Sequence, residues 1–124
     1  MKLVFTEEEQ LSINYLVNSL IKADGLILPE ENVCWNTISI KMGWKEMETS
    51  QIEELSNKSI ALSLLEKMSN DKKRFSIAFF KMIVLADQII APEEMELLEE
   101  IIRRAKLPEV TIAECATILD EYLY

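Results

Sequence analysis

A nine-residue phrase that occurs twice constrains this chain more than any other feature of its sequence. The first copy is Ala23–Glu31 and the second is Ala86–Glu94, so each position of the second copy lies 63 residues after its counterpart. Six of the nine positions carry the same residue in both copies. Weaker matches at the same offset continue to Trp44 and Leu107. We interpret the repeat as an internal duplication of a helix-loop-helix unit, with the phrase at its loop.

Helix start and stop signals flank both copies of the phrase. Thr6, followed by three glutamates, has the pattern of a capping box and predicts a helix that ends near Gly25. Pro29 suits the first position of a second helix, which we expect to end at Gly43. Pro92 opens the corresponding helix of the second half.

Apolar spacing predicts which parts of these helices are buried. Residues 75–86 are apolar on nearly every side, which is typical of a helix at the centre of a bundle, and Asp71 is the predicted cap of that helix. We expect the inner face of the second helix to consist mainly of Val33, Trp35, Ile38 and Met42. We expect a last helix over about 109–122 to bury Ile112, Cys115, Leu119 and Tyr122.

Together these signals predict an all-α fold, a single domain over residues 1–124. We expect a bundle of six or seven helices built from two pseudo-repeated halves, about 6–56 and 71–123. With 124 residues, of which 49% are hydrophobic, the chain is large enough for its own core. Only two glycines and three prolines are present, and each lies at a plausible helix boundary, which disfavours a sheet.

Charge and residue types exclude several functions. The net charge of −9 repels phosphate backbones and anionic lipids, so we expect no nucleic-acid partner. The chain has no histidine, which removes Ser-His and Cys-His catalysis and the commonest zinc ligand. No catalytic motif is visible, and we expect the protein not to be an enzyme. Cys34 and Cys115 lie in apolar-periodic segments and lack metal-ligand spacing, so buried free thiols are predicted.

The chain shows no targeting or membrane-spanning segment. Its N-terminus lacks the apolar core of a signal peptide, and no apolar run approaches the ~20 residues of a spanning helix. We therefore expect a cytoplasmic protein with no direct membrane insertion.

The repeated phrase carries the candidate site. Its first copy has the spacing of the second half of a calcium-binding EF-hand loop, at Asp24, Gly25, Ile27 and Glu31. The earlier ligand positions hold Leu20 and Lys22, which cannot supply carboxylates, so a true EF-hand is not predicted.

Two interpretations of the loop acids stay open. In the structural one, the aspartates brace the loops and the glutamates favour the first turn of the following helices. In the functional one, a pseudo-twofold axis brings the two loops together into one acidic site, and such like charges need a cation, a basic partner or raised pKa values. Carboxylates suit Ca²⁺, Mg²⁺ or Mn²⁺ rather than Zn²⁺. The candidate metal ligands are Asp24, Glu30, Glu31, Asp87, Glu93 and Glu94.

On these residues the chain resembles the tellurite-resistance TerB-like family, and it is also similar to a domain of a membrane-anchored DnaJ-like co-chaperone. The resemblance implies an all-α domain of about seven helices with acids from both halves near one another. It further implies a stress-response role, association with metal and membrane-associated protein partners. The matched positions are Asp24, Glu31, Asp87 and Glu94, with Gly25 in the first copy only, because Gln88 replaces the second glycine.

Three functions follow from this sequence. The leading hypothesis is a non-enzymatic TerB-like binding module that takes a divalent cation or a basic partner at the paired loops. The second is a plain interaction or scaffolding domain with structural loops, in which Leu26, Leu28 and Ile89 form a homodimer or partner face. The third is a hydrolase that holds metal with the same carboxylates.

Overall fold

Seven helices account for most of the described chain. The computed structural model describes residues 3–23, 25, 29–86 and 91–123, and within these ranges it contains no strand. The helices are α1 (Glu7–Lys22), α2 (Pro29–Met42), α3 (Thr49–Leu55), α4 (Lys58–Glu66), α5 (Asn70–Leu85), α6 (Pro92–Arg104) and α7 (Ile112–Leu123). The predicted all-α bundle is confirmed.

Side-chain caps explain where α1 and α5 begin. The Thr6 hydroxyl accepts from the Glu9 amide at 3.1 Å, and the Glu9 carboxylate accepts from the Thr6 amide at 2.8 Å. This is the predicted capping box. At the start of α5 the Ser69 hydroxyl accepts from the Lys72 amide at 3.3 Å. The prediction of Asp71 as this cap is wrong, because the cap is Ser69, two residues earlier, and Asp71 lies in the first turn of α5.

The backbone repeats at the predicted offset. Helices α1 and α5 both have 16 residues, and α2 and α6 both begin at the proline of the phrase. After each of these later helices the chain turns through a left-handed residue, Gly43 with φ 72° and Lys106 with φ 53°. The next amides, of Trp44 and Leu107, each donate to a carbonyl five residues back at 3.0 Å. The backbone of the two copies therefore corresponds at least from Thr6 to Trp44 in the first half and from Ser69 to Leu107 in the second.

Helix α5 is the central element of the bundle, as its apolar sequence predicted. It packs against α1, α2, α6 and α7. Its Phe75 ring is fully buried and lies 5.4 Å from the Phe5 ring, 5.9 Å from Phe79 and 6.3 Å from Tyr122, measured between ring centroids. Trp44 joins this aromatic cluster 6.1 Å from Phe75. The cluster ties the first half, the central helix and α7 together.

The two halves interlock instead of packing as separate units. Helix α2 contacts α5 and α7 of the second half, while α6 contacts α1 of the first half and α4, which lies between the halves. An ion pair of 2.6 Å between Lys58 and Glu100 joins α4 to α6. A second pair, Glu9 with Lys72 at 2.7 Å, joins positions that are 63 residues apart. Glu9 and Lys72 hold equivalent positions of the repeat, so this pair joins corresponding turns of α1 and α5.

Two burial predictions are wrong. Val33 is 63% exposed and Ile112 is 62% exposed, so neither belongs to the core. The buried face of α2 contains Glu31, Ile38 and Met42, with Trp35 partly buried beside them. Helix α7 buries Cys115, Ile118, Leu119 and Tyr122.

The cysteines and the helix lengths bear on two further predictions. Both cysteines are free thiols as predicted, but only Cys115 is buried, and Cys34 is half-buried. None of the helices in the described ranges has the length and apolar character needed to cross a bilayer.

Candidate functional site

The loop acids divide between residues that the structure describes and residues that it does not. Asp24 and Asp87 lie outside the described residues, as do Leu26, Leu28 and Ile89 of the predicted partner face. The four glutamates lie at the second and third positions of helices α2 and α6, directly after each proline.

The third-position glutamates are buried and the second-position glutamates are not. Glu31 is 0% exposed and Glu94 is 1% exposed, whereas Glu30 and Glu93 are exposed. The helical register explains this difference. Glu31 shares a face with Ile38 seven residues later, and Glu94 stands in the same relation to Ile101.

A buried carboxylate needs compensation, and the first turn of a helix supplies part of it. The open amides and the positive end of the helix dipole both favour an anion at this position. Glu31 and Glu94 therefore lie buried at the positions of α2 and α6 where a helix favours an acidic side chain. This placement fits the structural interpretation of these two acids and removes them from the outer surface.

A groove brings the flanks of the two loops together. It has a volume of about 540 Å³, and one wall is the start of α2 and the other the end of α5. Pro29, which follows the first loop, and Ala86, which precedes the second, both line it. Glu30 and Val33 lie on the α2 wall with Cys34. Burial raises the pKa of the Cys34 thiol above its ordinary value, so this thiol stays protonated.

The carboxylates near the loops are suitable ligands for a hard metal ion. The described residues alone, however, do not provide enough ligands. Carboxylate oxygens suit Ca²⁺, Mg²⁺ and Mn²⁺, and a protonated thiol is no ligand. Among the described residues, no three Asp, Glu, His or Cys side chains come close enough together to hold a metal ion. A metal ion at this end of the molecule would therefore need ligands from outside the described residues, among which are Asp24 and Asp87.

A second cleft, which the sequence analysis missed, lies on the first half alone. It has a volume of about 430 Å³ and runs between α2 and the non-helical residues 44–48. Its α2 wall presents Asn32, Asn36 and Ser39, and Asn14 of α1 lines it from within the bundle. The spacing of the three α2 residues, four and then three apart, is the signal in the sequence that could have revealed this polar face.

Comparison with known proteins supports the fold. No protein-family model matches the sequence, and no curated protein matches it. The structure is similar to the crystal structure of PG1108, a protein of unknown function from Porphyromonas gingivalis W83. The TM-score is 0.77, with 22% sequence identity over 93% of this chain and 97% of that one. At this level of identity the likeness extends to the fold alone.

Proposed function

We propose that the chain is a non-catalytic binding module of the TerB-like kind, which takes a cation at the end of the bundle where Pro29 and Ala86, beside its two repeated loops, line one groove. The cation is a divalent metal ion or the basic group of a protein partner. One observation carries this proposal: equivalent carboxylates, Glu31 and Glu94, are buried directly after loops whose flanks share one groove.

The roles of the acids follow from their placement. Asp24 and Asp87, one in each loop, would bind the cation directly. Glu31 and Glu94 would stabilise the starts of α2 and α6. From inside the bundle they would also add negative electrostatic potential at the cation. A bound cation would couple the two loops, because it would take an acid from each.

Stability in the presence of metal ions tests this proposal. We expect Ca²⁺, Mg²⁺ or Mn²⁺ to raise the free energy of unfolding of the full chain, measured by urea titration. At a hundred times the dissociation constant the expected increase is about 2.7 kcal/mol. Asp24→Asn or Asp87→Asn should abolish the increase, whereas Glu99→Gln, an exposed acid away from the loops, should preserve it.

Two results would contradict the metal form of the proposal. One is the absence of any stabilisation by the three ions at about 1 mM, and the other is an equal increase in the aspartate variants. For the basic-partner form, a polylysine peptide should bind the unmodified chain and lose affinity in both aspartate variants. Unchanged affinity would reject that form.

A second candidate function is a plain interaction domain with structural loops, and exposed apolar side chains favour it. Val33 and Ile40 lie seven residues apart on α2 and are 63% and 76% exposed. Residues seven apart share one helix face, so the two side chains form a mixed patch with the exposed Asn36 and Thr37 between them. If this patch makes a homodimer, the chain should sediment as a dimer, and Val33→Ser with Ile40→Ser should convert it to a monomer. A monomeric unmodified chain would exclude the homodimer.

A further inference from the structure

We propose that the cleft between α2 and residues 44–48 is a binding site for an extended peptide segment of a partner protein. The site lies on a different surface from the loop acids and does not depend on the proposed cation. Its strongest support is a comparison within the described part of the chain, because the same structural unit occurs twice and three positions that line the cleft in the first half are packed against the core in the second.

In the second half, the positions equivalent to three residues of the cleft are occupied by apolar side chains packed against the core. The residues equivalent to Asn14, Asn32 and Ser39 are Ile77, Met95 and Ile102. Ile77 is fully buried, and Met95 and Ile102 pack against the core. The same helical unit therefore forms with apolar residues at these positions. The polar residues of the first half are not required by the architecture.

The segment that follows α2 is also less buried than the equivalent segment that follows α6. In the second half Val110 is 2% exposed, and its carbonyl accepts a hydrogen bond from the Lys81 ammonium. Its counterpart in the first half is Met47, which is only half-buried, and the counterpart of Lys81 is Asn18. Asn18 donates instead to Glu53 on α3 at 3.2 Å. Residues 44–48 of the first half therefore remain accessible along the cleft.

The polar side chains of the cleft are available to a ligand. Asn14 is 4% exposed, and its side-chain oxygen accepts from the Trp35 indole at 2.9 Å. This bond orients the Asn14 amide, whose NH₂ group donates to no other residue of the described chain. Asn32 and Asn36 likewise make no side-chain hydrogen bond within the described ranges. A peptide group of a ligand could pair with these amides in place of water.

The opposite wall offers a peptide backbone that can pair with another. The main-chain groups of Lys45, Glu46 and Met47 make no hydrogen bond to any described residue, and these residues are neither helical nor turn. An extended partner segment could therefore add alongside them, as in strand addition. Its other edge would meet the asparagine amides, which donate and accept in the same way as a peptide group.

The chemistry of the cleft favours a peptide over a charged small molecule. Its α2 wall is neutral, and the rest of the lining contains Lys45 with Glu46 and Glu48, so no cluster of positive charge is present to hold a phosphate. Trp35 and the exposed Ile40 supply apolar surface for one or two side chains of the bound segment. The volume of about 430 Å³ is within the range of ligand pockets.

Selection of linear peptides on the full chain tests this proposal. Peptides enriched from a phage-displayed library of random seven-residue sequences would be synthesised and titrated by fluorescence anisotropy. We expect affinity to fall about tenfold or more in Asn36→Ala. The same loss is expected in Asn32→Met with Ser39→Ile, which places the second-half residues in the first-half cleft. Glu99→Ala changes the counterpart of Asn36 and should leave affinity unchanged.

Hydrogen exchange adds a readout specific to backbone pairing. Binding of a selected peptide should slow amide exchange at residues 45–47 about tenfold or more. The proposal is overturned if no selected peptide binds at about 1 mM, or if binding survives both cleft variants. It is also overturned if binding leaves exchange at residues 45–47 unchanged. Because the Asn36 side chain is exposed, a loss of affinity in Asn36→Ala cannot be attributed to unfolding.

Discussion

At the scale of single residues, the Glu9–Lys72 pair shows how a charge can be held between the two halves. The two side chains are 14% and 21% exposed, and Lys72 also lies 5.4 Å from the centre of the Phe5 ring. Burial opposes ionisation of the Glu9 carboxyl, but hydrogen bonds from Lys72 and the Thr6 amide outweigh burial and lower its pKa below the ordinary value. If both partners had the same charge, the halves would repel at this point.

The lowered pKa of Glu9 predicts a pH dependence. Because the folded pKa lies below the unfolded value of about 4.3, the pair contributes its full stability above that pH and loses it as pH falls through the folded pKa. Glu9→Gln keeps an acceptor for the Thr6 amide but removes the charge. We expect a loss of about 1 kcal/mol at pH 7 that shrinks as pH falls below about 4.

Urea titrations at a series of pH values would measure this difference, with Glu7→Gln as the control from the same helical turn. Glu7 is exposed and makes no ion pair to a described residue. If Glu9→Gln and the unmodified chain lose stability in parallel on acidification, the assigned role of Glu9 is wrong.

At the scale of helices, α2 and α6 end in turns of the same backbone geometry, although the residues in the two turns differ. Both turns pass through a left-handed residue, which is a glycine after α2 and a lysine after α6. Left-handed backbone costs a residue with a side chain about 1 kcal/mol more than glycine. Lys106 bears this cost, and its ion pair with Glu66 is largely exposed and stabilises little.

Gly43→Ala measures this backbone cost directly. A Cβ placed on Gly43 would meet no atom within 4 Å, so no steric clash adds to the effect. We expect a loss of about 1 kcal/mol in the free energy of unfolding. Lys106→Ala is the matched control, since it leaves a side-chain residue in the same conformation, and its effect should stay within about 0.5 kcal/mol. Equal effects of the two substitutions would contradict this explanation.

At the scale of the whole molecule, the crossed packing of the halves makes independent unfolding unfavourable. Separating them would expose α5, which is buried against helices of both halves, and would break the aromatic cluster around Phe75. A duplicated chain whose repeats only touched at one surface could instead unfold in two steps. The interlocking therefore converts two similar units into one cooperative structure.

Two optical signals can test this cooperativity. Both tryptophans, Trp35 and Trp44, belong to the first half, whereas far-ultraviolet circular dichroism reports helices of both halves. We expect tryptophan fluorescence and circular dichroism to give the same urea midpoint. Midpoints that differ beyond error would show that one half unfolds before the other.

Much of the fold could be predicted because its signals are local. The capping box at Thr6, the prolines that open α2 and α6, and the glycine after α2 each act within one helical turn. The site was harder to predict because burial depends on helical register against distant partners. The spacing of Glu31 to Ile38 would have placed that glutamate inside the bundle, whereas Val33 was assigned to the core on its apolar character alone.

The sequence by itself determined the helices, their order and the duplication, because helix caps, prolines and a 63-residue repeat are properties of neighbouring residues and of identity along the chain. Only the tertiary structure decided that Glu31 and Glu94 are buried while Glu30 and Glu93 are exposed. It also decided that a polar cleft opens in one half at positions where the other half is packed shut. The reason is physical: a side chain is buried or exposed according to the helices that lie against it, and those helices come from both halves.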